Sequence, residues 1–536
     1  MMKFPSLCAV LTILYLLPNL SIAQESLKAN FTTFELFGDE LEGTPTFKGW
    51  KNETVPLILK IKSTKSEKIN FKVKIGNKRV SYNAYQLAYV KGDFSSGVCG
   101  EAKKSGKFEI GYFPDRAVEI FDRCIQPDST VHYLLLNLNI SKNAKTGKYP
   151  ISVEIKQGES SFTSSSQLEI IDRTLPSFAE LDFKMDFWQY PLSVANYYKV
   201  DPWSDAHMKH LGVMFDQLNH INQKAVTTTV FWDIFNTSIK PLEEMMIQVR
   251  RNKDGHYSYD YSNFEKYVKL GFSKGVDQQI SVHNLFPWNN FLFYFDETQD
   301  KVVSSRNLPM SSEYQKFWKA FLEDFSKYLE KKDWLEKVVF FIDERTPEQS
   351  IEISKFVKSI EPKFKMGYSG KYYEALSPYI DDYSLSSNIV LEKKVLDGRR
   401  AAGHSTTFYT SCYEKQPNML MMSNYGDIYF ILMLAKAKGY DGFLRWAFNL
   451  WSSDIVDNAI YPDLPSGDAH FVYPNGQVSL RYLIIHDALE EVLKIKSKEN
   501  LPKTADMLKA HNRYFLLNIE KSRLEMIRSM KTYLND

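Results

Sequence analysis

The sequence predicts an all-β domain followed by an α/β domain: a β-sandwich, then a (β/α)8 barrel, then C-terminal helices. Three observations predict it. Apolar residues recur with a period of two over residues 26–172. After Pro176 the texture changes to short apolar runs separated by helix-length amphipathic stretches. Eight such runs occur over roughly 310 residues, the count for a (β/α)8 barrel.

In chain order, residues 1–23 read as a secretory signal peptide. Lys3 is the only charge before Glu25, Leu7 to Leu17 form an apolar run, and Ser21-Ile22-Ala23 carries small residues where a signal peptidase reads. The run is too short for a stable bilayer span, and no later segment is apolar for long enough. The expected mature protein is exported, to the periplasm or the medium.

Residues 24–175 read as the β-sandwich. Ile69, Phe71, Val73 and Ile75 alternate with polar residues, as do Ile151, Val153 and Ile155. Such alternation makes a half-buried antiparallel strand. Leu57, Leu59 and Ile61 alternate less cleanly, because Ile58 lies between them. Lys145-Thr146-Gly147-Lys148 is a turn, and Asp172 to Pro176 reads as the linker out of the domain. This domain could bind glycan, pack on the barrel or merely stabilise it.

Residues 176–498 read as the barrel. Its strand candidates are Leu181–Trp188, Ala225–Trp232, Gln279–Phe286, Val338–Asp343, Lys365–Ser369, Tyr383–Ile389, Thr406–Cys412 and Gly442–Phe448. Helix candidates lie between them. In 311–330, Tyr314, Phe317, Phe321, Phe325 and Leu329 share one face. The stretch 424–438 ends at Gly439, a C-cap residue. Residues 499–536 read as one or two charged amphipathic helices outside the barrel.

Composition narrows the function. The 67 Lys+Arg nearly balance 65 Asp+Glu, which argues against a nucleic-acid binder and its basic field. Aromatics reach 14%, compatible with a carbohydrate surface, although most must fill cores. Three cysteines follow the signal segment. Cys99 and Cys124 either pair or remain two free thiols. The sequons at Asn30, Asn52, Asn139 and Asn236 are no more than chance supplies in a chain this long. No His-x-His or His-x-x-x-His spacing suggests a metal site, and no cofactor is expected.

A barrel enzyme works at the C-terminal ends of its strands. There the sequence places Trp188, Asp233, His283, Asn284, Trp288, Asp343, Glu344, Arg345, Tyr368, Tyr409, Arg445, Trp446 and Asn449. Aromatic platforms, amides and carboxylates on one face suit a sugar, whose CH faces stack and whose hydroxyls need donors and acceptors. Asp343-Glu344 is the sharpest pair. It follows the apolar run Val338 to Ile342, which must be a buried strand. Two acids there are either the start of the helix beginning near Thr346-Pro347 or a catalytic pair. Repulsion between adjacent carboxylates would keep one protonated as a general acid while the other stays ionised. Ordinary two-carboxylate glycosidases set their acids on opposite sides of the scissile bond. Neighbours on one strand end cannot easily do so, which favours a substrate that supplies its own nucleophile.

From about Phe183 to Glu491 the chain resembles glycoside hydrolase family 123 and the related domain-of-unknown-function family 4091. The matching stretches are Trp188-Gln-Tyr-Pro, Trp203-Ser, Tyr259-Asp-Tyr, Phe286-Pro-Trp, Ile342-Asp-Glu-Arg and Gln416-Pro-Asn, with a C-terminal block of Gly439 to Trp451, Gly467-Asp-Ala-His-Phe-Val-Tyr-Pro and Ser479-Leu-Arg. The resemblance implies a sandwich before a barrel. It also implies a retaining exo-β-N-acetylgalactosaminidase with substrate-assisted catalysis, acting on a glycan with a terminal amino sugar. On this chain Asp343 would orient the acetamido group and stabilise the oxazolinium, and Glu344 would be the general acid and base. Tyr368 or Tyr409 would bond the acetamido carbonyl. Trp446 would be the floor under the ring, or a core residue. His283 and Asn284 would read hydroxyls, or be structural. Trp188, Trp288 and Asn449 complete the expected substrate-binding set, and Arg345 would orient the acids. The chain departs from the family at Ala469-His470-Phe471, in the helix from Leu483, and at Cys412-Tyr413. The alternatives are a glycosidase for another sugar and a non-catalytic glycan-binding protein.

Overall fold

The computed structural model describes residues 27–95, 99, 108–236, 238–498, 502–517 and 520–536. The expected signal segment, 1–23, lies outside them.

Two sheets form the N-terminal region. One holds, in spatial order, Lys28–Thr32, Thr54–Lys62, Val131–Ile140, Val80–Asp93 and Ile110–Glu119, closed at its edge by Val478–Ser479 from the far end of the chain. The other holds Thr46–Lys51, Ser160–Thr174, Gly147–Gln157, Ile69–Ile75 and Cys124–Ile125. Leu57, Leu59, Ile61, Leu134, Leu136 and Leu138 point between the sheets, where they meet Phe71, Val153 and Ile155. Ile58 and Leu135 point the other way, into the core shared with the α/β domain. That second buried face explains the broken alternation around Ile58. The stretch read as a linker is ordered: the strand runs through Thr174, and Leu175 is buried.

The α/β domain is built on eight parallel strands: Lys184–Phe187, Ala225–Thr229, Gln279–His283, Val338–Asp343, Lys365–Gly370, Asp382–Ser386, Ser405–Tyr409 and Gly442–Arg445. Successive strands pair from the second to the eighth, and the eighth returns to the first. Among the described residues the backbone ladder between the first and second is reduced to an isolated bridge, Met185 to Gln223. Side-chain amides finish the seam. Gln223 Oε1 accepts from Phe187 N–H (2.8 Å), and Gln189 Oε1 accepts from Thr227 N–H (2.7 Å). The result is a curled, nearly closed barrel.

Helices follow the predicted pattern. Ser311 caps Ser312–Glu330 by accepting from Tyr314 N–H, and Gly439 ends Gly426–Lys438 with φ 76°. A separate four-stranded sheet (Tyr257–Asp260, Gln248–Arg251, Phe291–Asp296, Lys301–Arg306) was not expected. Asp254-Gly255, between its first two strands in the chain, is the hairpin signal that reveals half of it. The cysteine expectation needs correcting as well. Cys99 bonds Cys412 (Cα–Cα 5.2 Å), because the barrel brings its seventh strand end beside the sandwich, and Cys124 is free. No helix among the described residues is long and apolar enough to cross a membrane.

The helix Leu480–Ser497 lies between sandwich and barrel and carries a buried charge cluster. Lys494 Nζ donates to Glu53 Oε1 (2.6 Å), Glu491 Oε1 (3.3 Å) and Asn535 Oδ1 (3.0 Å). Glu490 accepts from Thr54 N–H. Burial pushes Glu53 up, with Lys494 opposing. Burial, then the charges of Glu53 and Asp487, push Glu490 well up. A carboxyl raised on folding binds more protons folded than unfolded, so stability falls as pH rises from the ordinary value of 4.5 through the raised one. In urea titrations between pH 4.5 and 8 the stability of the unaltered protein should fall relative to that of Glu490→Gln, on the order of 1–3 kcal/mol; buried His207, His283, His470 and His486 shift stability the other way and cancel in the difference. An unchanged slope in the variant would remove Glu490 as its source.

Candidate active site

The fourth barrel strand builds the site. Val339 and Phe341 point into the barrel, while Val338, Phe340 and Ile342 pack outward beneath the helices. By the same alternation Asp343 is the next inward position, at the mouth. Glu344 would then point outward, but its φ of 45° breaks the strand. A left-handed non-glycine residue costs on the order of 1–3 kcal/mol, and such strain collects at functional sites. The turn is fixed by Glu344 N–H donating to Ser369 O (2.8 Å). It aims Glu344 across the mouth, where Tyr409 O–H donates to Oε1 (2.5 Å).

Asp343 is held from two sides. Ser369 O–H donates to Oδ1 (2.7 Å), and Trp288 Nε1–H donates to Oδ2 (3.0 Å). Arg345 stacks its guanidinium over Trp288 (4.2 Å) and Phe286 (4.6 Å). No hydrogen bond joins Arg345 to either acid among the described residues; it bears on Asp343 through its charge and through the Trp288 ring on which it stacks. Burial pushes the Asp343 carboxyl up, against the two donors and the Arg345 charge. Burial also raises Glu344; Asp343 and Glu414 add to the rise, and Tyr409 and Lys371 oppose it. Mutual repulsion, the cause expected from the sequence, is secondary to desolvation.

The other expected residues divide by position. Trp188, His283 and Phe341 form a plug inside the barrel, with ring centroids 4.6 Å (Trp188 to His283) and 5.6 Å (His283 to Phe341) apart. Burial pushes His283 down to about 3, so it is neutral. Asn284 and Asn449 do not offer their amides to the mouth. Asn284 accepts from Phe231 N–H and donates to Asp233 O, and Asn449 accepts from Tyr190 N–H and donates to Tyr190 O. Each pins a loop. Trp446 is half-buried against Tyr190 and Phe235 and donates to Asp468 Oδ2 (2.9 Å). Tyr368 is buried, its O–H on Arg345 O (2.7 Å), whereas Tyr409 touches the acid.

Sequence reasoning missed Ser369 and Glu414, and it placed Tyr190 at the first strand's end without giving it a role. Tyr190 O–H is buried with no hydrogen-bond partner among the described residues, beside the charges of Asp233, Asp343 and Asp468. Its place at the first strand's end was the available signal. Glu414 had none. Its carboxylate accepts from Ser387 O–H (3.1 Å) and Ser411 N–H (2.8 Å), which ties the sixth and seventh strand ends together. Outside Glu344 opens a cavity of about 650 Å³, lined also by Lys371, Tyr373, Tyr413 and Glu414. Among the described residues no group of three His, Cys, Asp or Glu side chains could hold a metal ion.

The family-specific block has a mechanical role. Arg445, fully buried, donates to Thr410 O (2.6 Å) and pairs with Asp468, which also takes the Trp446 N–H. Gly467 must lack a side chain: its φ is 89°, and a Cβ would lie 2.7 Å from Met421 N. His470, one of the departures, is buried on Tyr473 (5.0 Å) and is absent from the cavity lining.

A model of the glycoside hydrolase 123 catalytic domain matches residues 188–497. No curated protein matches the chain. Among solved structures, a family 123 glycoside hydrolase from Clostridium perfringens, described for glycolipid glycan hydrolysis, superposes with a TM-score of 0.81 at 20% identity, over 95% of this chain and 98% of that one. The two share a fold. A β-glucuronidase 3 from Bacteroides uniformis reaches only 0.30 at 9% identity, over 86% and 51%, too loose an overlap to inform the fold. With its catalytic domain matched over more than half its length, the chain belongs to glycoside hydrolase family 123 and is a glycoside hydrolase.

Proposed function

We propose that the enzyme removes terminal β-linked N-acetylgalactosamine with retention, the substrate's acetamido oxygen acting as nucleophile. One observation carries this reading: Asp343 and Glu344 are neighbours at a single strand end, so they approach any bound glycoside from one region. The acetamido oxygen attacks the anomeric carbon as the glycosidic C–O bond breaks. Glu344 gives its proton to the departing oxygen. Asp343 accepts the acetamido N–H and offsets the positive charge of the oxazolinium. Water then adds to the anomeric carbon, passes a proton to Glu344, and the ring opens to restore the acetamido group. The raised Glu344 suits it to hold the first proton. The Cys99–Cys412 disulfide supports an exported enzyme, because such bonds persist in oxidising compartments.

The test is nitrophenol release from the β-N-acetylgalactosaminide, the β-N-acetylglucosaminide and the β-galactoside, with Asp343→Asn and Glu344→Gln beside them. Turnover of the first substrate, lost in both variants, supports the proposal. Equal rates on the galactoside would exclude substrate assistance. Binding without turnover would identify a glycan-binding protein.

Tyr409 gives a second check. Its O–H stabilises the charged form of Glu344. Tyr409→Phe should therefore raise the Glu344 pKa further, and the alkaline limb of kcat/KM should move to higher pH. A limb that stays or moves down would show that this hydrogen bond is absent during turnover.

A further inference from the structure

We propose that the cavity outside Glu344 is a subsite for the sugar on the leaving side of the scissile bond, and that the N-terminal domain helps to build it through the Cys99–Cys412 disulfide. The proposal rests on the reading of Glu344 as general acid. Three observations carry it.

The first is position. The cavity is lined by Glu344, with Arg345, Tyr368 and Tyr409 beside it on the inner wall, and not by Asp343, Trp288 or Trp446. It therefore opens on the side of the proton donor, where the departing oxygen and its substituent must lie. Its volume of about 650 Å³ falls within the range of small-ligand sites.

The second is its lining. Tyr413 stands at the rim with 71% of its surface exposed. An exposed ring beside Asn388, Ser411 and Lys371 is the combination a pyranose takes: a stacking face, with donors and acceptors around it. Nothing in the core packing requires Tyr413, whereas Tyr368 and Tyr409 are buried.

The third is how the rim is held. Tyr413 follows Cys412 directly, and Glu414 follows Tyr413. Cys412 is bonded to Cys99, from the connection between strands Val80–Asp93 and Ile110–Glu119 of the sandwich. Cys99 itself lines the cavity. Glu414 is fixed from the other side by Ser387 and Ser411. The ring of Tyr413 is thus presented by a short segment anchored at both neighbours. Such anchoring lowers the ordering cost of binding.

The experiment compares two substrates with different leaving groups. One is a disaccharide with N-acetylgalactosamine β-linked to galactose. The other is N-acetylgalactosaminyl β-fluoride, whose leaving group needs no subsite. For the unaltered protein, Tyr413→Ala and Cys99→Ser, kcat/KM is measured on both. The expected result for Tyr413→Ala is a fall in the disaccharide-to-fluoride ratio of about five- to tenfold, the scale of one lost stacking contact. Cys99→Ser should lower the ratio in the same direction without removing a ring. An unchanged ratio in Tyr413→Ala, including an equal loss on both substrates, overturns the subsite while leaving the general acid in place. If the unaltered protein turns over neither substrate, the proposed function fails and the subsite with it.

Discussion

Glu344→Gln should reduce kcat on a natural glycan by about a thousandfold or more, within the 10²–10⁴ range of general acid–base catalysis and toward its upper end. The amide keeps the shape of the side chain and can still accept the Tyr409 O–H, so the loss isolates the proton. Glu344 is exposed to the cavity, so folding should not change, and an unaltered thermal midpoint would verify that. The loss should shrink for nitrophenyl substrates, whose leaving oxygen needs little protonation. A uniform loss across leaving groups would point to a structural or electrostatic role. Asp343→Asn should fail differently. Its amide nitrogen cannot accept a hydrogen bond, so either Trp288 or Ser369 loses its acceptor and the charge opposite the oxazolinium is gone. Its loss should therefore be nearly independent of leaving group.

Asp115→Ala should cost about 3–5 kcal/mol of stability, the scale for breaking one side of a buried ion pair. Asp115 lies on the sandwich strand Ile110–Glu119 and accepts from Arg481 Nε (2.8 Å), Arg481 Nη2 (3.0 Å) and Tyr473 O–H (2.7 Å). Both partners are fully buried. Burial pushes the Asp115 carboxyl up, but the Arg481 charge and hydrogen bonds outweigh it and hold it below the ordinary value. Its stabilisation is thus present above pH 3.8 and lost as pH falls through the depressed value. Arg481 also donates to Met419 O (3.1 Å) and Gly467 O (2.7 Å), next to the Asp468 that holds Arg445 and Trp446. The variant should lose activity as well as stability. Asp115→Leu combined with Arg481→Met should recover much of the stability, because no charge is then stranded. Urea denaturation of the three proteins measures this; a loss under 1 kcal/mol in the single variant would mean that water reaches Arg481.

Much of this was legible because strand and helix periods differ. The run Val338 to Ile342 gave the fourth strand to the residue, and Ser311 and Gly439 marked real helix ends. Other barrel strands stopped short of their apolar runs: Trp188, Trp232 and Phe286 are buried residues of the loops that follow. Burial in a plug or a loop leaves the same apolar signature as burial in a strand. The acids were visible because charge after a buried run is costly. The swing of Glu344 was not, since a positive φ at glutamate has no composition cue. Asn284 and Asn449 misled for a related reason: an amide at a strand end looks alike whether it faces a ligand or ties a loop. The Cys99–Cys412 pair spans 313 residues, and only the tertiary fold brings its ends together.

The sandwich sheet with two buried faces limits how this protein can be recombined. Cutting at residue 175 would bare Ile58, Leu87, Ala117 and Leu135 on one fragment and the flank of Leu480–Ser497 on the other. It would also remove Val478–Ser479 from the edge of the sandwich sheet. Each half would carry a sticky apolar surface and an unpaired strand edge, both aggregation hazards. The N-terminal region is therefore not a portable module that a fusion could drop or exchange, and the smallest transferable unit is both domains together.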